Sequence, residues 1–426
     1  MATVLRRWTA AVACILALAL ATDMLAESYV TASLLDDEIT TSVACHAQTS
    51  GHLEVLAAGS FAQSEFFACF RPQDQVFQFF DTIAERTRQA TAKRPVMIDK
   101  FTISTTVFGR DIPAYKLTTG PRSTKQSIYL QSGLHAREWI SITSTAFTWA
   151  TLLDAATSTN SSLSAFAQVL DEYDWVYVPI VNLDGYIYTW SAESRRYHRK
   201  NMQYRSYDPL DNATNMTAGV DLNRNFGPID DNDEDSIVYS GPNPFSEPEV
   251  QGIAAFVESS QKQVNGSSDL AGVLDIHSYG GLILTPFGNS SAAPDQPFGA
   301  AFFKLGQRVQ SALRNVSGGN YTAIQAFDLY FAQGMFCDFV FATYKVPALV
   351  VEIEGADFRV PASTIQRRGR EIAAAVVTFA QSLGDWASET NTKKSGTKQS
   401  TAARVVVAGP WWLCVVFLLT VSGTMM

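Results

Sequence analysis

Apolar positions along the chain fall into two alternating patterns. Between Pro72 and Thr91, Val76, Phe79, Phe80 and Ile83 recur at i, i+3, i+4 and i+7, the stripe of a helix that buries one face. Short, nearly continuous apolar runs predict strands at Val96–Ile103, Ala114–Leu117, Ser127–Leu130, Trp175–Val181, Ala271–Ile276 and Ala348–Ile353. Helices are predicted between them at Ile140–Asp154, Glu247–Gln261, Gly299–Asn315 and Pro361–Leu383. Strands alternating with long helices predict an α/β fold whose sheet is covered on both faces. No internal repeat breaks the pattern.

Several strands carry polar groups at their carboxyl ends, where binding groups gather in α/β sheets. After the Ser127–Leu130 strand comes Leu134-His135-Ala136-Arg137-Glu138-Trp139. A histidine and a glutamate three residues apart on one turn suit zinc, leaving a third ligand to come from elsewhere and one position open. His277 ends the Ala271–Ile276 strand in Asp275-Ile276-His277-Ser278-Tyr279 and is a candidate third ligand. On its own, it reads better as a core histidine bonded to backbone. Glu352 lies near the end of an apolar strand, where a carboxylate is expensive unless paired. Asn223-Arg224 suits a carboxylate, because a guanidinium fork matches two oxygens. The run Arg195-Arg196-Tyr197-His198-Arg199-Lys200 is for the most part expected to be a solvated face, and a lone Tyr330 to be packing.

Taken together, His135-x-x-Glu138, Asn223-Arg224, His277-Ser278-Tyr279, Tyr330 and Glu352 resemble the zinc metallocarboxypeptidases of the pancreatic A/B type, over about Phe66 to Leu383. The resemblance implies a mixed eight-stranded sheet and one Zn2+ per chain bound by His135, Glu138 and His277. It implies Glu352 as general base, Arg199 as oxyanion stabiliser, and Asp221 as the acceptor orienting a zinc histidine. Asn223, Arg224 and Tyr330 would clamp the substrate's terminal carboxylate. Arg137, Ser278 and Tyr279 would line its approach. The position that sets side-chain preference corresponds to Cys337, which is small and uncharged, so apolar or aromatic C-terminal residues are expected over Lys or Arg. Met335 nearby would shorten that pocket. A surface binding module that kept the fold without turnover, and a deacylase acting on a small carboxylate-bearing substrate, are the alternatives.

Composition adds compartment. With 426 residues, net charge -9 and pI near 5.1, the chain is not a general nucleic-acid binder. Arg6 and Arg7 precede an apolar stretch from Ala10 to Ala21, so residues 1–26 read as a signal peptide with cleavage near Ala26, or as a retained signal-anchor. An N-terminal extension, 27–61, is shorter than the family's inhibitory prodomain. The catalytic domain is placed at 62–385, a polar spacer at 386–404 and an apolar tail at 405–426. The tail is read as a GPI-anchor signal, a retained membrane span, or neither. Sequons at Asn160, Asn212, Asn215, Asn265, Asn289, Asn315 and Asn320 fit a secretory route to the cell surface or beyond. Outside the terminal apolar segments remain Cys45, Cys69 and Cys337; a Cys45–Cys69 disulfide is expected, with Cys337 as a buried odd thiol. Peptide or protein C-termini are the expected partners, and a monomer the expected state.

Overall fold

The structure is a computed structural model that describes residues 37–90, 95–120, 125–203, 218–229, 233–261 and 270–390. The expected signal peptide and apolar tail, and the sequons at 212, 215 and 265, lie outside these residues.

Eight strands form one mixed sheet: β1 (Val96–Thr105), β2 (Asp111–Thr119), β3 (Ser127–Ser132), β4 (Asp174–Val178), β5 (Leu270–Ser278), β6 (Leu282–Thr285), β7 (Thr322–Gln325) and β8 (Ala348–Ile353). Their spatial order is β1-β2-β4-β3-β5-β8-β6-β7, with β4, β3, β5 and β8 mutually parallel and antiparallel pairs at β1–β2, β2–β4 and β6–β8. Every residue of β3 and β4 is buried, which is why these strands read as continuous apolar runs rather than alternating ones.

Helices are α1 (Glu38–Gln48), α2 (Gln73–Gln89), α3 (Trp139–Thr157), α4 (Ser164–Glu172), α5 (Leu183–Trp190), α6 (Pro248–Ser259), α7 (Phe298–Ser317), α8 (Ala326–Leu329), α9 (Phe336–Tyr344) and α10 (Ile365–Thr390). They cover both faces of the sheet, as expected. On one face a Cβ at Gly272 would lie 2.7 Å from the Phe379 ring of α10. From the opposite face, Tyr129, paired with Val273, meets Phe256 of α6 and Phe336 of α9.

The differences from the sequence expectation have local causes. The strand expected to reach Val181 stops at Val178, because the chain leaves the ladder at Pro179 and Val181 N donates to the Ser132 carbonyl instead. Helix α10 runs on to Thr390, since Trp386 is buried and packs 4.5 Å from Phe302, so the first residues assigned to the spacer are helical. Upstream, α1 is helical and joined to the core by the Cys45–Cys69 disulfide, with Cα atoms 6.0 Å apart. Phe61, Phe66 and Phe67 are buried in the same core as the sheet.

Candidate active site

The central strands β3, β5 and β8 are neighbours and parallel, so their carboxyl ends open at one place. After β3 the chain turns through Gly133 at φ +66, where a Cβ would come within 3.0 Å of Ile142. That tight turn delivers His135 and Glu138 just before α3 begins. Strand β5 contributes His277, and Glu352 of β8 is its register partner.

His135, Glu138 and His277 are buried, and their ligand atoms lie within 4.8 Å of one another. Glu138 Oε1 is 2.7 Å from His135 Nδ1 and Oε2 is 3.0 Å from His277 Nδ1, while the two Nδ1 atoms are 3.1 Å apart. The far nitrogens face carboxylates: His135 Nε2 is 3.2 Å from Asp221 Oδ1, and His277 Nε2 is 2.9 Å from Asp275 Oδ2. Carboxylates on the Nε2 side favour the proton there and turn both Nδ1 lone pairs toward Glu138. Two lone pairs and a carboxylate converging in a buried space form the donor set of a divalent cation, and N2O ligation suits zinc. Burial opposes ionising Glu138, but the two imidazoles outweigh it and hold its carboxyl well below the ordinary range. Burial and the Arg199 charge lower His135; for His277, Asp275 and Glu138 outweigh burial and raise it.

Asp221 ties this cluster to the cationic groups. Its Oδ1 also accepts from Asn223 N at 3.0 Å, capping the short turn Leu222–Arg224, and its Oδ2 accepts from Arg199 Nε at 2.9 Å. Burial works against its charge, and the Arg199 guanidinium and His135 overcome that. Arg224 donates through Nη2 to the Tyr330 hydroxyl at 2.9 Å, and Asn223 Oδ1 accepts from Phe336 N at 2.9 Å, the first residue of α9. Tyr330 is 52% exposed, whereas Arg199, Asn223 and Arg224 are buried.

Glu352 lies among the same charges. Burial first, then the neighbouring Glu138 charge, pushes its carboxyl up to about 8, against His277 and Arg199. The remaining expected residues divide. Ser278 donates its backbone N–H to Glu138 Oε2 at 3.0 Å, and its side chain is buried. Tyr279 is 40% exposed and meets the Phe358 ring edge-on at 4.8 Å. The Arg137 guanidinium stacks 3.8 Å from the same Phe358 ring, and burial lowers its pKa to about 10. Cys337, in the first turn of α9, is a buried free thiol whose pKa is pushed up by burial and then by Asp275. Two participants carried no assigned role from the sequence. Asp275 stands two residues before His277 on a strand, so both side chains share a face. Arg196 sat inside a run expected to be for the most part solvated, yet it is fully buried, and Arg195, His198, Arg199 and Lys200 are buried with it.

A cavity of about 660 Å³ lies elsewhere, lined by Phe147, Asp154, Leu163, Phe166 and Val377 among others. It has no grouping of metal-ligating or nucleophilic side chains, so the chemistry belongs to the strand ends.

Among known proteins, the family model described as zinc carboxypeptidase matches residues 83–375. An "inactive metallocarboxypeptidase ecm14" of Sclerotinia sclerotiorum is 34% identical over 230 residues, covering 51% of this chain and 36% of that protein. Human carboxypeptidase O is 29% identical over 274 residues, 62% of this chain and 64% of that one. The chain thus spans between about a third and two thirds of these relatives' lengths. The crystal structure of carboxypeptidase A from Helicoverpa armigera superposes with a TM-score of 0.65 at 24% identity, over 84% of this chain and 81% of that one. That of thrombin activatable fibrinolysis inhibitor gives 0.65 at 23%, over 79% of each chain. Both show the fold alone, while the family model spans well over half of the 426 residues, the strand-end cluster included: the chain belongs to the zinc carboxypeptidase family.

Proposed function

We propose that the protein is a zinc metallocarboxypeptidase that hydrolyses the C-terminal peptide bond of peptides and proteins. The observation that carries this is the convergence of His135, Glu138 and His277 beside Glu352, with Asp221 linking them to the buried Arg199 and Asn223 and with Arg224 bonded to the exposed Tyr330. Zinc, when bound, supplies Lewis acidity and lowers the pKa of water to about 7. Arg224 and Asn223 pair with the free α-carboxylate of the substrate, and Tyr330 closes over it. A buried positive clamp of this kind selects chain ends, because it leaves no room for residues beyond the carboxylate. Glu352 takes a proton from the attacking water on its carboxylate oxygen and passes it to the leaving nitrogen. A carboxylate beside the metal cluster can carry out both halves of that transfer. Arg199, held by Asp221, faces the oxyanion as it forms.

Cys337 and Met335 favour apolar or aromatic C-terminal residues, since a buried thiol and a thioether offer no charge to Lys or Arg. A secretory route is supported by the Cys45–Cys69 disulfide and by exposed sequons at Asn160, Asn289, Asn315 and Asn320. Among the described residues no helix is long and apolar enough to cross a membrane.

Relatives named as inactive give substance to a second possibility, a surface module that binds C-termini without turnover. Hydrolysis of blocked dipeptides ending in Phe, Leu, Lys or Glu separates the two when followed with and without a zinc chelator, beside Glu352→Gln. Chelator-sensitive release of Phe or Leu, lost in the variant, is the expected result. Zinc-loaded, folded protein that binds these peptides without cleaving them would establish the binding module instead.

A further inference from the structure

Helix α1 is fastened to the rest of the molecule at both ends. At its C-terminal half are the Cys45–Cys69 disulfide and His46, whose Nε2 is 2.6 Å from the Phe70 carbonyl. At its first turn, Glu38 Oε2 accepts from Arg196 Nε at 2.5 Å and Ile39 N donates to Glu193 Oε1 at 2.6 Å. Glu193 in turn meets Arg359 at 3.1 Å.

Arg196 is the centre of this attachment. Its guanidinium stacks 3.9 Å from the Trp139 ring, directly behind Glu138 in sequence. Nη1 donates to the Arg137 carbonyl at 2.5 Å, between two of the metal-ligating residues. Nη2 donates to the Phe358 carbonyl at 3.1 Å, on the loop that follows β8 and Glu352. Phe358 covers the Arg137 guanidinium and the Tyr279 ring. One side chain therefore holds both sides of the outer wall, and the carboxylate that aims it belongs to α1. With Glu38 gone, Arg196 would be a buried cation with two carbonyl partners and its nearest counter-charge lost, a costly state that is relieved by moving the guanidinium.

We infer that Glu38 is a positioning residue for the substrate-binding wall of Arg137, Tyr279 and Phe358, acting through Arg196, and that the Cys45–Cys69 disulfide keeps it in place. The inference rests on the carboxypeptidase function proposed above. In the oxidised protein the wall is fixed. When the disulfide is reduced to two thiols by a dithiol such as dithiothreitol, which is itself oxidised, α1 loses its covalent tie and keeps the non-covalent contacts of Glu38, Ile39 and His46.

The test uses the full chain as wild type, Glu38→Gln, Glu38→Asp and the double variant Cys45→Ser/Cys69→Ser. Steady-state hydrolysis of a blocked dipeptide ending in Leu is measured alongside zinc content, melting temperature and hydrogen exchange over residues 136–138 and 355–361. For Glu38→Gln the expected result is a KM raised by about tenfold with kcat little changed and zinc retained, the scale of a small misplacement of binding groups. Glu38→Asp should recover most of the loss, and the double variant and the reduced wild type should shift KM in the same direction. A lowered melting temperature with unchanged KM overturns the inference, as does a loss of kcat accompanied by loss of zinc. Absence of wild-type turnover defeats the enzymatic function but leaves the wall measurable. Faster exchange over 355–361 in Glu38→Gln then supports the inference, and identical exchange overturns it.

Discussion

At the residue scale, the site is a set of side chains that constrain one another's charge. Asp221 serves a histidine, an arginine and a backbone amide at once, and Asp275 stands 2.9 Å from His277 Nε2. Replacing Asp275 by Asn removes the carboxylate that favours the Nε2–H tautomer, so zinc affinity in competitive chelator titration should fall by about 10- to 100-fold. For Arg199→Ala, the expected loss is about 100- to 1000-fold in kcat with a smaller change in KM, measured on the same dipeptides. Cys337→Asp places a charge in the expected side-chain pocket. The kcat/KM ratio of Lys over Leu substrates should then rise by on the order of 10- to 100-fold, with a lowered melting temperature because the new carboxylate is buried.

At the element scale, the sequence disclosed what periodicity and length can disclose. The parallel strands β3, β5 and β8 and the helices α2, α3, α6, α7 and α10 were legible because burial forces long apolar runs or a helical stripe. The strands β6 and β7 at one end of the sheet, four residues each, were not, since Leu282–Thr285 and Thr322–Gln325 are too short to show a period. Helices α5 and α9 were missed as well: their aromatic residues pack against tertiary neighbours, as Phe336 does on Tyr129, and leave no polar face to read. The residues of the candidate metal site, His135, Glu138 and His277, were legible as a motif set, whereas Asp275 and Arg196 gained meaning from neighbours distant in sequence. Short connections matter as much as the elements. Gly334 has φ +66, and a Cβ there would lie 2.0 Å from the Arg224 carbonyl oxygen. Gly334→Ala should push the 330–334 loop away from Arg224 and cut kcat/KM by about 100-fold while zinc content stays intact.

Across the whole molecule, stability carries a pH signature set by buried acids remote from the site. Glu249, at the start of α6, accepts from Val107 N at 3.2 Å, and burial pushes its carboxyl up to about 8 from 4.5. Between those pH values the folded chain holds a proton that the unfolded chain has released. Its contribution to stability is therefore fully present below about 4.5 and is lost as pH rises through 8. Melting temperature should fall from pH 6 to pH 9, and Glu249→Gln should flatten part of that slope in calorimetric scans.

The parallel arrangement of β3, β5 and β8 also acts as a clock during synthesis. His135 and Glu138 are translated early, His277 more than a hundred residues later, and Glu352 arrives with β8 near the end of the folded body. Until Ile353 has emerged from the ribosome, β5 lacks its second parallel neighbour and the candidate metal cluster lacks Glu352. On the function proposed above, a nascent chain is without activity until β8 has been made, a latency imposed by strand order.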